Sequence, residues 1–190
     1  LLMAADEARI VNVSSVNGFW ASLGPDSPNT AYSAAKFAVK GFSEALITDL
    51  RLNAPHVGVS VVMPGHIRTP IVSNSMRVLY GTDELDWSDS ELGEFREQWK
   101  RLGIEVGTWS LDQVRGHLQD RLKKFEESAP TSASQAARVI LDGVREGRWR
   151  ILVGEDAHHL DQRVRTAPDR AYDIDFLGPR VTGPRTPFLR

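Results

Sequence analysis

A chain of 190 residues with 41% hydrophobic residues suits one globular domain, and a net charge of -2 gives no electrostatic reason to bind nucleic acid or an anionic membrane. No apolar run is long enough to span a bilayer, and zero cysteines exclude a disulfide framework and any thiolate-held metal. The first residues do not read as a signal peptide, because Asp6 and Glu7 interrupt them; a cytoplasmic location is the expectation.

Arg9 to Val13 is short and β-branched, the pattern of a buried parallel strand, and runs into Ser14-Ser15. Asn29 or Thr30 can cap a helix reaching about Leu52, with Val39, Phe42, Leu46 and Leu50 as its apolar stripe. Near the start of that helix Tyr32 and Lys36 stand four residues apart, on one face. Asn53-Ala54-Pro55 ends the helix and Val57 to Val62 returns as a second buried strand. Strand, helix, strand is a crossover unit in a parallel sheet, whose ligands bind at the strands' carboxyl ends.

Thr69-Pro70 reads as a helix start, with threonine as cap and proline at the first helical position. From Ile71 to about Ser128 the chain is polar and charged, with Tyr80, Trp87, Trp99, Leu102 and Trp109 either lining a pocket or packing the segment's own helices. Ser132 can cap a helix over Ala133 to Glu146 with Ala136, Val139, Ile140 and Val144 on one face. An extended tail is expected over 162–190, where Arg, Asp, Gly and Pro outnumber core-forming residues.

Three motifs carry the chemistry. Ser14-Ser15, then Tyr32 with Lys36, then Pro64-Gly65-His66-Ile67-Arg68-Thr69, each near a strand end or helix start and in this order, resemble the second half of a short-chain dehydrogenase/reductase. The resemblance covers about residues 1 to 71 closely and 130 to 157 more loosely, where Arg150 to Val153 looks like the family's last strand. It implies an α/β fold with a doubly wound, Rossmann-like parallel sheet, represented by its later strands and helices only. Residues 1–190 would form a single, partial domain with a helical substrate-cap insertion over 72–128.

The resemblance also assigns roles. Tyr32 would be the general acid/base that exchanges a proton with the oxygen of an alcohol or carbonyl substrate, and Ser15 would hydrogen-bond the same oxygen. Lys36 would assist electrostatically, since an ammonium beside a phenol favours the phenolate, and with Tyr32 would bind the nicotinamide ribose side. Pro64 and Gly65 would lie against the nicotinamide, with glycine letting backbone approach the ring, while Ile67 and Thr69 would hold its carboxamide and pyrophosphate side. The implied cofactor is NAD or NADP, the reaction the interconversion of a secondary alcohol and a ketone, and the assembly a homodimer or homotetramer. The substrate would be a small molecule, with neither nucleic acid nor membrane as partner.

Two departures qualify the pattern. The Ser15 to Tyr32 interval is longer than in the family, and Phe19 to Pro28 reads as a lengthened loop, which costs only ~0.6 kcal/mol per doubling of length. The chain also carries no glycine-rich phosphate turn; Gly143 and Gly147 come nearest, but Trp149 takes the place of a third glycine and a strand follows instead of preceding. The expectation is therefore a carboxy-terminal portion in which the NAD/NADP selector is absent. A different class is open beside the enzyme: a silent fragment or interaction module unable to bind dinucleotide alone. Asp156, His158, His159 and Asp161 are metal-ligand types, but adjacent histidines seldom face one ion, and no metal is expected. No Gly-x-Ser-x-Gly elbow supports a serine hydrolase.

Overall fold

The computed structural model describes residues 1–22, 29–81, 87–101 and 105–177, with the side chains of Met76, Leu79 and Tyr80 outside that description. The chain divides into two compact units, one formed by residues 1–67 with 130–177 and the other by 68–129.

The first unit is built on a three-stranded parallel sheet of β1 (Ala8–Val13), β2 (Val57–Pro64) and β5 (Arg150–Val153), in the order β1-β2-β5. Ala8 to Val13 pair with Val57 to Val62, and Val61 to Pro64 with Arg150 to Val153. Successive β2 residues supply opposite faces, as strand geometry requires. Val61 and Met63 pack with Leu152 and Ala157, whereas Val62 packs with Ala136, Ile151 and Val153. The helices on these two faces are α6 (Glu155–Thr166) and α5 (Ala133–Arg145). Ser132 and Gln135 close a capping box at the start of α5, and Val139, Ile140 and Val144 face the sheet as the sequence periodicity predicts. Helix and strand approach closely here, because a Cβ on Gly143 would stand 2.7 Å from Ile151 Cδ1. A separate two-stranded sheet joins β3 (Ile67–Arg68) and β4 (Thr131–Ser132).

Helix α1 (Thr30–Asn53) connects β1 to β2. Its fully buried residues are Ser33 and Ser43, and Asn12 of β1 donates to the Ser43 hydroxyl at 3.0 Å. The expected stripe is thus corrected at Phe42, which is 62% exposed, because the side of α1 nearest the sheet is fitted with small serines. β1 is also less buried than a continuous apolar run suggests: it is an edge strand among the described residues, and Val11 and Val13 are exposed.

The expected tail needs a larger correction. Residues up to Thr166 continue α6, Pro168–Arg170 form a 3-10 turn, and Ala171 and Phe176 are buried against Trp20. The Trp20 indole N–H donates to the Ala171 carbonyl at 2.6 Å, and Tyr172 Oη accepts from the Ala21 amide at 3.1 Å. Apolar burial and a satisfied indole order a stretch whose composition alone looked too polar. The tail beyond 177 and most of the lengthened loop, 23–28, lie outside the described residues.

The second unit contains α2 (Ile71–Tyr80), α3 (Asp89–Arg101) and α4 (Leu111–Glu127). Pro70 is the residue preceding α2 and Ile71 its first helical position, one residue later than Thr69-Pro70 implied. Its core is Trp87, Leu92, Trp99, Val106, Val114 and Leu118, with Trp109 packed against it. Of the two roles open to Trp87, Trp99 and Trp109, packing is the one observed: their rings hold α3 and α4 together, and the loop carbonyls of Trp87 and Trp109 accept from Arg115 and Arg96. Tyr80 and Leu102 lie outside the described side chains. Among the described residues, no helix is long and apolar enough to cross a membrane.

Candidate active site

The end of β1 organises the site. Ser14 and Ser15 are both buried, and they turn to different tasks. Ser14 Oγ donates to the Lys36 carbonyl at 2.8 Å, fastening α1 to the strand end. Ser15 caps a short 3-10 turn, Val16–Gly18, by accepting from the Asn17 amide at 3.2 Å. Its hydroxyl proton is not consumed by that bond.

Tyr32 lies in the first turn of α1 and is 39% exposed. Lys36, one turn on, donates from Nζ to the Val13 carbonyl at 3.1 Å, and the same Nζ stands 5.5 Å from the centroid of the Tyr32 ring. The ammonium is thereby fixed beside the phenol by the carboxyl end of β1. This is the pairing that four-residue helical spacing predicts.

Two residues of this corner carry no chemistry in the sequence reading yet shape it. Asn17 is buried and donates from Nδ2 to the Ser22 carbonyl at 2.9 Å, with Ser33 Oγ at 3.5 Å, so it ties the segment after Ser15 to α1. Gly18 lets α1 come close: a Cβ there would meet Ser14 Oγ at 2.3 Å and the Lys36 carbonyl at 2.9 Å. An Asn-Gly pair just past a strand was the available signal.

Pro64 ends β2, and Gly65 follows it with its amide donating to the Val153 carbonyl at 2.9 Å. Ile67 begins β3 and packs with Val62, Ile151 and Val153. Ser15, Tyr32, Lys36, Pro64, Gly65 and Ile67 all belong to the first unit, at or just beyond the carboxyl ends of β1 and β2. Thr69 is half-buried at the beginning of the second unit.

The acidic and histidine residues of α6 have other employment. Asp161 receives both terminal nitrogens of Arg150 and the Nε of Arg165. Burial pushes its carboxyl up, but hydrogen bonds and charge from the two guanidiniums together outweigh this and hold it below the usual carboxylate range. Asp156 accepts from the His66 amide, and His158 and His159 are exposed. Among the described residues, no three His, Cys, Asp or Glu side chains gather as a metal would need.

Comparison with known proteins bears on the family and the fold. Residues 1–78 match the family model described as short chain dehydrogenase. The chain is 31% identical over 160 residues to SadH of Mycobacterium tuberculosis, a protein named as an oxidoreductase, covering 84% of this chain and 44% of SadH. It is 38% identical over 78 residues to an NADP-dependent (R)-specific alcohol dehydrogenase of Lentilactobacillus kefiri, covering 41% of this chain and 28% of that one. A short chain dehydrogenase/reductase from Burkholderia phymatum, crystallised in complex with NAD, shares the fold with a TM-score of 0.54 at 22% identity, over 99% of this chain and 54% of that chain. The chain belongs to the short-chain dehydrogenase/reductase family, a family of oxidoreductase enzymes with an α/β, Rossmann-like parallel sheet. It spans about half the length, or less, of these relatives.

Proposed function

We propose that the whole protein is an NAD(P)-dependent oxidoreductase that interconverts a secondary alcohol and a ketone, with Tyr32 as acid/base. The observation that carries this reading is the Lys36 ammonium held between the Val13 carbonyl and the Tyr32 ring. The residues of this chain fit the nicotinamide half of a dinucleotide: Lys36 and Tyr32 for the ribose side, Pro64 and Gly65 at the end of β2 for the ring, Ile67 and Thr69 beyond. No glycine-rich turn for the pyrophosphate occurs in residues 1–190.

The dinucleotide would supply or take up the hydride. In the reducing direction, Tyr32 gives its hydroxyl proton to the substrate oxygen as the carbonyl π pair moves onto that oxygen, leaving a phenolate that the Lys36 ammonium stabilises. Ser15 donates its hydroxyl to the same oxygen and steadies the developing charge. In oxidation each proton movement reverses. We extend the proposal to residues 72–128 as the substrate cap, and to a homodimer or homotetramer through the outer side of α1, where Phe37 and Phe42 are exposed.

The test is turnover of a panel of secondary alcohols and ketones by the whole protein with NAD and NADP. Tyr32→Phe is expected to lower turnover by about 10²–10⁴-fold while dinucleotide still binds. Turnover by the variant at the parental rate would remove Tyr32 from the chemistry.

A further inference from the structure

The Pro64-Gly65-His66 turn is gripped from just beyond the carboxyl end of the neighbouring parallel strand, β5. Asp156, the second residue of α6, accepts the His66 amide at 2.6 Å through Oδ2, across 90 residues of sequence. A Cβ on Gly65 would stand 2.2 Å from that Oδ2 and 2.5 Å from Cγ. Gly65 does not have a positive φ, so backbone conformation does not call for glycine there; the carboxylate does. On its other side the carboxylate meets Gly154, whose Cβ would stand 2.4 Å from Oδ1. Gly154 is held at φ 101, a conformation side chains disfavour.

Asp156 Oδ1 is buried and has no hydrogen-bond partner among the described residues. A half-satisfied buried carboxylate is a poor device for stability alone. It is a good device for fixing a turn, because a charge-assisted bond to a backbone N–H constrains orientation as well as distance.

We propose that Asp156 is the positioning residue of the Pro64–Thr69 segment: clamped between Gly65 and Gly154, its carboxylate sets the turn that presents this segment to the nicotinamide. The proposal rests on the dinucleotide reading given above and adds a residue that the sequence motifs do not contain. It also gives Gly65 a second reason to be glycine, room for Asp156.

The experiment is a double-mutant cycle in the whole protein: Asp156→Ala, Gly65→Ala and the pair together, with Asp156→Asn as the conservative variant. Exchange of the His66 amide with deuterium reports the clamp directly, and dinucleotide binding by fluorescence titration reports its consequence. Asp156→Ala is expected to speed His66 exchange and to weaken dinucleotide binding, each about tenfold, which is the loss of one such hydrogen bond. Gly65→Ala displaces the carboxylate and gives the same two changes; the pair is no worse than either alone, and Asp156→Asn recovers most of the loss. Unchanged His66 exchange in Asp156→Ala, or a pair whose loss is the product of the single losses, would overturn the proposal. If the parent binds no dinucleotide, the functional reading fails separately, and His66 exchange still decides whether Asp156 holds the turn.

Discussion

The two units bury different things. The second unit closes on tryptophan, leucine and valine, whereas the buried polar residues among those described, Ser14, Ser15, Asn17, Ser33, Ser43 and Ser60, all belong to the first. A buried hydroxyl needs a partner or costs stability, and most of these have one: Ser14 the Lys36 carbonyl, Ser43 the Val39 carbonyl, Ser60 the Arg148 carbonyl. The lesson is that buried polar side chains go with the sheet and its first helix, with Ser14, Ser15 and Asn17 just past the carboxyl end of β1, while the aromatic unit is held together by area. Chemistry is expected in the first and mechanical stability in the second.

That contrast can be broken at several points. The largest expected effect is in the aromatic core: Trp99→Ala removes a ring that meets both Trp109 and His117, and should cost about 3–5 kcal/mol in chemical denaturation. If the contrast holds, dinucleotide binding by the molecules that remain folded is little changed. Next is Asp161→Ala, which leaves the Arg150 guanidinium buried without its carboxylate and should cost about 3 kcal/mol. Because the Asp161 carboxyl is held low in the folded state, its contribution is present above about pH 4 and is lost as pH falls through the folded value; acid unfolding curves of parent and variant should converge there.

Gly18→Ala should cost about 1–3 kcal/mol, since the added methyl meets both the Ser14 hydroxyl and the Lys36 carbonyl. Adding Ser14→Ala should relieve only part of this, because the backbone carbonyl stays. A thermal melt of the pair equal to the parent would show that α1 is free to shift. The smallest effect belongs to His117, packed edge-on between Trp99 and Trp109. Burial, with Arg121 and Lys124 nearby and Asp120 opposing them, lowers its pKa. The neutral ring is therefore favoured in the fold, and stability should fall as pH drops below about 6.5, the unfolded value. His117→Gln should flatten that slope in urea midpoints measured from pH 8 to 5.

Local patterns made much of this legible in the sequence. The apolar, β-branched runs gave β1 and β2, the family resemblance gave β5, the 3.6-residue period of Ala136, Val139, Ile140 and Val144 gave the buried side of α5, and four-residue spacing gave the Tyr32 and Lys36 pair. What escaped is set by contacts distant in sequence. Trp20 meets Ala171 across 151 residues, so the order of the segment around Phe176 has no local signal. Asp156 has no assigned role in the sequence reading, because its partner, the His66 amide, is backbone and leaves no mark in the sequence. Phe42 was placed inside α1 by its hydrophobicity, yet the close approach to β1 is made through Ser43 and Asn12, for which small and polar residues fit better.

The most direct measurement is hydrogen–deuterium exchange of the whole protein with and without added NAD or NADP. The account predicts that dinucleotide protects peptides covering 13–19, 30–37 and 62–67 and leaves the core of the aromatic unit, 87–118, as it was. Protection confined to 87–118, or none anywhere at saturating dinucleotide, would contradict it.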